Sequence, residues 1–592
     1  MEMAKQNNKL IRKTILSMFG GSLAAMITGA IALMADTILA GALFDKFAVA
    51  AVAVGAPIIN IFQALTQMII NGASIKMNIY AGKGENEKVK SAFASSVFFT
   101  ALLGLFFIVV CQFFAQGLVT LFGGADEIAE LSVWYLRGAT GCIAMGTINL
   151  FMSKTLALFG RQKVIFRSAF LAGALNVVFS IVLVKLLPEN IAIMGLGMGT
   201  WLGGGIAAIS SYISLKKHDL SLKLRFKDVK FSTLVGFVHH GAPSSGNNLA
   251  DGVVSGIVNN MIVSGFSNGV LALAVYTAVK SIAGFATAII QAINLSAAPL
   301  FGIMYGSRDK NGILRSYKES IRLAMIALGV CAAFVLACTP LWAKVFDLQG
   351  NVDLIIGLAI CMLAYLPLTA LLRITTQFFE AMEKPAMGFL YSMIPDSVIY
   401  PILLVLLLPV WGYNGMWIAY SLNAIPFLLV LYLVRSAKNR SMVLSYDRMF
   451  CLDEEIRDNV PKIDISISSD NKDVTFISKQ VYDFLLDEKV EQRTAHTTAL
   501  CLEELAADFV EHTVENDSKK SKDIIMDIKL FADADMLRMI IRNEAKMYNP
   551  LDFELDGETF SKMGVKLAQK LAQNINYSYV YKMNIITIDI NK

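Results

Sequence analysis

The chain has 592 residues, of which 55% are hydrophobic and 17% charged, with a net charge of +5 and a mean hydropathy of +0.57. That balance excludes an ordinary soluble globular chain. The small basic excess is confined to particular loops, which reads as a membrane-topology signal and excludes a nucleic-acid partner.

Twelve long apolar stretches are predicted as membrane-spanning helices, at about 14–42, 47–80, 91–121, 128–159, 164–187, 191–215, 233–264, 269–305, 318–345, 353–381, 387–409 and 412–435. Each holds the roughly 20 apolar residues that a bilayer crossing needs. The first run is too long for the core of a cleavable signal. Lys and Arg cluster before span one and after spans two, four, six, eight and twelve, whereas the loop after span three carries Asp126, Glu127 and Glu130. The positive-inside rule then places both termini in the cytoplasm of a multi-pass plasma-membrane protein. Of seven cysteines, Cys111, Cys142, Cys331, Cys338 and Cys361 fall within spans and no C-x-x-C pair occurs, so neither disulfides nor a metal site is expected.

The second six spans echo the first six. "AVAAVAVGAP" (48–57) has a partner in "LALAVYTAVK" (271–280), and "YAGKGENEKVKSAF" (80–93) in "YGSRDKNGILRSY" (305–317). Gly195, Gly197 and Gly199 open span six as Gly412 and Gly415 open span twelve. Such a duplication is the mark of a secondary transporter, whose two bundles rock about a shared cavity. The expected units are a six-helix lobe (1–217), a basic cytoplasmic loop (218–232), a second six-helix lobe (233–440) and a soluble domain (441–592). The fold class is therefore an all-α membrane protein of twelve helices in two lobes, followed by a small α+β domain, and a monomer is expected.

Two acids within apolar spans qualify as candidate cation-coupling residues, Asp36 and Asp251. A carboxylate at the centre of a membrane helix costs about 2.5–3.5 kcal/mol, so it normally faces a cavity and serves a function. Holding H+ or Na+ there would neutralise the charge and let the helix re-pack. For Asp36 the competing reading is a helix-end residue near the external surface. For Asp251 it is an ion pair with Lys280 of span eight. The polar residues Asn176, Thr200, Asn247, Asn248 and Asn260 are candidates to complete an oxygen shell for a hard cation. Arg373 and Glu380 are further unusual charges, with Arg373 read equally as snorkelling or as a contact for an anionic substrate. Lys76 and Lys154 read as snorkelling towards span ends.

Several segments resemble the MATE transporters, the multidrug and toxic compound extrusion family. "MADTILAGALFDKFAVAAVAVGAP" (34–57) is similar to that family's first-span aspartate segment, and "NGASIKMNIYAGKGENEKVKSAF" (71–93) and "LALFGRQK" (156–163) to the segments that follow. "GAPSSGNNLAD" (241–251) resembles its seventh-span Gly-x-Pro opening, and "QFFEAMEKP" (377–385) the end of its tenth span. The likeness covers about residues 10–440. It implies export of small amphipathic organic substrates out of the bilayer-embedded cavity, coupled to H+ or Na+, with Asp36 and Asp251 as coupling acids. The family's tenth-span acid has no counterpart between Ala370 and Arg373. Two other readings are a flippase for lipid-linked saccharides, sharing the fold, and a membrane-tethered signalling protein.

Past Arg440 the chain turns charged. Strand-like runs at 462–468, 524–530 and 585–590 are separated by amphipathic helical stretches at 473–489, 494–515 and 559–575. "LCLEELAADFVEH" (500–512), "IIRNEAKMYNPLD" (540–552) and "SKMGVKLAQKLAQNINYSYVYKMNIITIDI" (561–590) resemble anti-sigma-factor serine kinases of the histidine-kinase ATPase superfamily. The resemblance implies an ATP and Mg2+ site at Glu504, Asp508, Asn543 and Gly564. This chain departs from it, with Asp508 in place of an Asn, Asn543 in place of an Asp and Ala545 in place of a Gly. The domain is thus expected to regulate transport, through a nucleotide or a cytoplasmic protein, without powering it.

Overall fold

The computed structural model describes residues 9–44, 46–122, 126–216, 222–265, 269–337, 352–440, 442, 462–468, 471–516, 525–533, 535–552 and 563–592. Helices lie at each expected span. They are α1 (Lys9–Leu43), α2 (Lys46–Gly82), α3 (Asn86–Leu121), α4 (Asp126–Ala139), α5 (Gly141–Leu158), α6 (Gln162–Leu186) and α7 (Met194–Lys216) in the first lobe. The second lobe holds α8 (Thr233–Gly265), α9 (Gly269–Gly306), α10 (Lys310–Ala337), α11 (Val352–Ala381), α12 (Pro385–Met393), α13 (Tyr400–Leu422) and α14 (Ala424–Asn439). Among the described residues, nine helical segments are by themselves long and apolar enough to cross a bilayer. Large side chains such as Leu105, Phe106, Phe113, Phe114, Val405, Leu406, Leu429 and Val430 are exposed on the outside of the bundle, as lipid contact requires.

Three expected spans are broken. The fourth divides at Thr140 into α4 and α5. The eleventh passes through a π-helical turn, Ile394–Ile399, that opens at Pro395, where the missing N–H of proline disrupts the regular ladder. The twelfth opens on non-helical backbone at Gly412 (φ 52°) within α13 and divides at Asn423 between α13 and α14.

The lobes meet closely in one half of the bundle. A Cβ on Gly82 would lie 2.1 Å from the Ile303 carbonyl oxygen, and one on Gly241 would lie 1.9 Å from that of Met68. Glycine there lets two backbones touch. Across the same seam Asn71 Nδ2 donates to Ser244 Oγ at 3.1 Å and Ser245 Oγ at 2.9 Å, Ser296 Oγ donates to Ser22 Oγ at 3.0 Å, and Lys76 pairs with Glu383.

The C-terminal domain is one antiparallel sheet in the order β1-β2-β3-β5-β4. Its strands are β1 (Lys462–Ser468), β2 (Ile525–Ala532), β3 (Met536–Asn543), β4 (Asn574–Val580) and β5 (Met583–Asn591). Helices α15 (Asn471–Asp487), α16 (Gln492–Asn516) and α17 (Met563–Leu571) share one core with Ile528, Leu530, Met539, Ile541, Ile586 and Ile588 of the sheet. The last helix ends at Leu571, before the expected 575, because Asn574 already belongs to β4; residues 559–562 lie outside the described residues.

Strand residues of opposite parity face the membrane lobes. Ile525, Ile540 and Ile585, with Tyr581 between β4 and β5, belong to the same apolar cluster as Leu10, Leu156, Phe301 and Met304. The sheet is therefore buried on both faces, one by its own helices and one by the transmembrane bundle.

Candidate functional site

In the first lobe, four helices converge on Asp36. Thr200 Oγ1 of α7 lies 3.0 and 2.9 Å from the two carboxylate oxygens. Asn176 Nδ2 of α6 donates to Oδ1 at 3.2 Å, and the Tyr135 hydroxyl of α4 donates to Oδ2 at 3.4 Å. The shell extends to Ser180, whose Oγ donates to Asn176 Oδ1 at 3.0 Å. Two carboxylate oxygens, two hydroxyls and an amide oxygen form a donor set suited to a hard cation or a proton.

Glycines place Thr200. A Cβ on Gly195, Gly199 or Gly203 would come within 2.7 Å of Val184 N, 2.2 Å of Ser180 Oγ, or 2.7 Å of Ala172 O respectively. Spaced four apart on α7, these three let the helix lie directly against α6. The same close approach brings Thr200 within 3.1 Å of Asn176 Oδ1. Asn176 and Thr200 were expected from sequence. Tyr135, the eighth residue of the fourth stretch, was not.

The second lobe presents a site that sequence reasoning missed. Asp396, on the π-helical turn, accepts from the Tyr365 hydroxyl at 2.7 Å, from Asn423 Nδ2 at 3.2 Å and from Arg373 at 3.2 Å. Arg373, read from sequence as snorkelling or as an anion contact, is thus part of an internal ion pair. Asp396 belongs to the eleventh expected span. Asp251, Asn247, Asn260 and Lys280 have side chains outside the described residues, as the expected Asp251–Lys280 pair therefore does too. Asn248 is exposed and donates to Gln67 Oε1 of the first lobe at 3.2 Å.

Buried Glu380 accepts from the Ser244 N–H at 2.8 Å and from Gln377 Nε2 at 2.8 Å. It also interacts electrostatically with Lys154 of the first lobe. Neither Lys76, which pairs with Glu383, nor Lys154 snorkels as expected. Both are used across the lobe seam.

In the C-terminal domain, Asp508 of α16 and Asn543 of β3 are both buried. Asn543 Oδ1 accepts from Asn584 Nδ2 at 2.7 Å. Asn584 Oδ1 in turn accepts from the Tyr548 N–H at 3.0 Å and the Tyr577 hydroxyl at 2.8 Å. The Tyr548 ring stacks on His512 with centroids 3.7 Å apart. Asn584, Tyr548 and His512 thus occupy the space around Asn543, and none of them was singled out from sequence. Glu504 is half-buried on α16, and Gly564 lies in the first turn of α17.

Solved structures show the same architecture. An outward-facing multidrug resistance MATE family transporter of the MOP superfamily is 18% identical, with a TM-score of 0.65 over 71% of this chain and 94% of that one. A MATE protein in complex with MaL6 gives 19% identity and a TM-score of 0.66, covering 73% and 98%. A MOP superfamily transporter from Pyrococcus furiosus, described as having a binding pocket of reversed polarity, gives 19% and 0.62, covering 72% and 97%. No curated protein sequence matches significantly. The MatE family model matches residues 22–182 and 251–405. Those stretches fall in both lobes and together exceed half of the sequence, so the chain belongs to the MatE family.

Proposed function

We propose that this protein is an H+- or Na+-coupled antiporter that exports amphipathic organic compounds across the plasma membrane by alternating access. The observation that carries the reading is the convergence of Tyr135, Asn176 and Thr200 on Asp36 from three further helices. Filling or emptying such a site changes the charge that four helices share, and so biases how they pack. The arrangement of loops supports termini on the cytoplasmic side. Lys13, the 83–86 and 159–161 loops and the 307–312 connection all lie at the end of the bundle that the C-terminal domain covers.

A flippase for lipid-linked pyrophosphates would need unengaged cations in the cavity, and Arg373 is held by Asp396. A signalling kinase would need an open nucleotide pocket, and Asn543 is bonded to Asn584. The domain fits a regulatory role better than an energy-supplying one. The test is efflux from proteoliposomes under imposed proton or sodium gradients, with a panel of amphipathic cations. Asp36→Asn is expected to fold normally and lose gradient-driven efflux. Wild-type efflux by the purified variant would refute the reading.

A further inference from the structure

The C-terminal domain grips both lobes at one end of the bundle. On the second lobe, Asp309 sits between α9 and α10 and is 2% exposed. Lys529 Nζ donates to Asp309 Oδ1 at 2.7 Å, and Arg542 donates to Oδ2 at 2.7 Å and to Ser307 Oγ at 2.6 Å. Arg315 of α10 pairs with Asp464 of β1 at 3.5 Å. The two cations hold the Asp309 carboxyl well below the usual carboxylate range, although burial opposes them.

On the first lobe, Glu544 pairs with Lys13 of α1. The Tyr581 N–H donates to Leu158 O at 2.7 Å, satisfying a carbonyl at the end of α5 that the helix itself leaves open. Asn86 Nδ2 of α3 donates to Tyr577 O at 3.2 Å. Gly84 (φ +74°) and Gly160 (φ +68°) present bare backbone to the domain, where a Cβ would meet Asn576 at 2.8 Å and Lys582 at 2.7 Å.

Two features tie these grips together. Arg542 and Glu544, two residues apart at the end of β3, hold opposite lobes. Tyr581 touches both lobes at once, through Leu158 and through a hydroxyl bond to Ser296 O of α9. It stands with Lys582 in the β4–β5 turn at φ 55° and 57°. Such two-residue turns favour Asn and Gly, so Tyr and Lys hold here a left-handed backbone that most side chains disfavour.

We propose that the C-terminal domain is an autoinhibitory latch that holds the lobes together at the cytoplasmic end and must release one of them before that end can open. This rests on the alternating-access reading above. A rocking motion moves α1 and α5 away from α9 and α10 at this end, and a hydrogen-bonded sheet cannot stretch between them. The grip on Asp309 uses side chains only 1–5% exposed, whereas Lys13 is 41% exposed. Exposed ion pairs are weak and buried ones costly to break. The first-lobe side, anchored by the exposed Lys13 pair, is therefore the side that lets go, and the domain, with Tyr581 still bonded to Ser296 O, stays with the second lobe.

The test uses the full chain with its seven cysteines replaced and spin labels at positions 88 and 318, Lys88 and Lys318 being exposed on opposite lobes. The unsubstituted latch should give one short distance. Glu544→Lys, which turns attraction to Lys13 into repulsion, should raise a longer-distance population about fivefold, and adding Lys13→Glu should restore the short distance. Efflux in proteoliposomes should rise and fall with that population. A distance distribution unchanged by Glu544→Lys, or a swap that fails to restore it, overturns the latch. If no compound is transported under any gradient while the distances respond as stated, the antiport reading fails and the latch stands.

Discussion

Asp527 offers a test of how tightly the sheet is covered. It lies on the lobe-facing side of β2 and is 4% exposed. Desolvation by burial raises its carboxyl from the model-compound value of 3.8 to about 6, against the lowering effect of the Ser466 hydroxyl, Lys529 and Arg542 and with a small further rise from Asp464. With the sheet face uncovered, the group would return towards its ordinary value. Between about pH 4 and 6 the docked state then binds more protons than the undocked one, so docking weakens as pH rises through that window and levels off above it. The full difference of about two pKa units corresponds to about 3 kcal/mol at pH 7. Asp309 works in the opposite sense, with docking lost only when strong acid protonates it, so Asp527 governs the range from pH 4 to 7. Asp527→Asn removes the ionisation. Amides of β2 in the full-length variant should exchange with deuterium up to about a hundredfold more slowly than wild type at pH 7, and at an equal rate near pH 4. The same ratio at both pH values would refute the argument.

Three further outcomes follow from geometry. Gly199→Ala places a methyl 2.2 Å from Ser180 Oγ; it should cost about 1–3 kcal/mol by overpacking, read as a lower melting temperature, and should weaken H+ or Na+ coupling by moving Thr200 off Asp36. Unchanged coupling in a folded variant would separate Thr200 from the site. Gly82→Val drives a side chain into the Ile303 carbonyl. It should open the lobes at that end, seen as new labelling of a cysteine placed at Asn78, and continued protection would count against the close-approach argument. Asp36→Asn, as above, should fold and fail to couple, with proteoliposome efflux as the measure.

Much of this molecule was legible locally. A bilayer crossing is a long contiguous apolar run, so the helices appear where composition put them, to within several residues except where breaks divide the fourth, eleventh and twelfth spans. Asp36 stood out because a lone carboxylate in such a run is costly wherever the helix lies. Asn176 and Thr200 were marked as oxygen ligands, but their meeting at one carboxylate depends on the Gly195–Gly199–Gly203 stripe seating α7 on α6. Asp396 escaped notice although it lies inside the expected eleventh span, because its partners Tyr365, Arg373 and Asn423 come from other spans. The C-terminal strands alternate apolar with charged residues, as in "IIMDIKL" (524–530), a pattern that ordinarily means one buried face and one in water. Alternation fixes which side chains share a face and says nothing about what covers it. That Lys529 and Arg542 meet Asp309, more than two hundred residues away, was decided by the docking of the sheet on both lobes, because charge partners distant in sequence leave no local trace of each other.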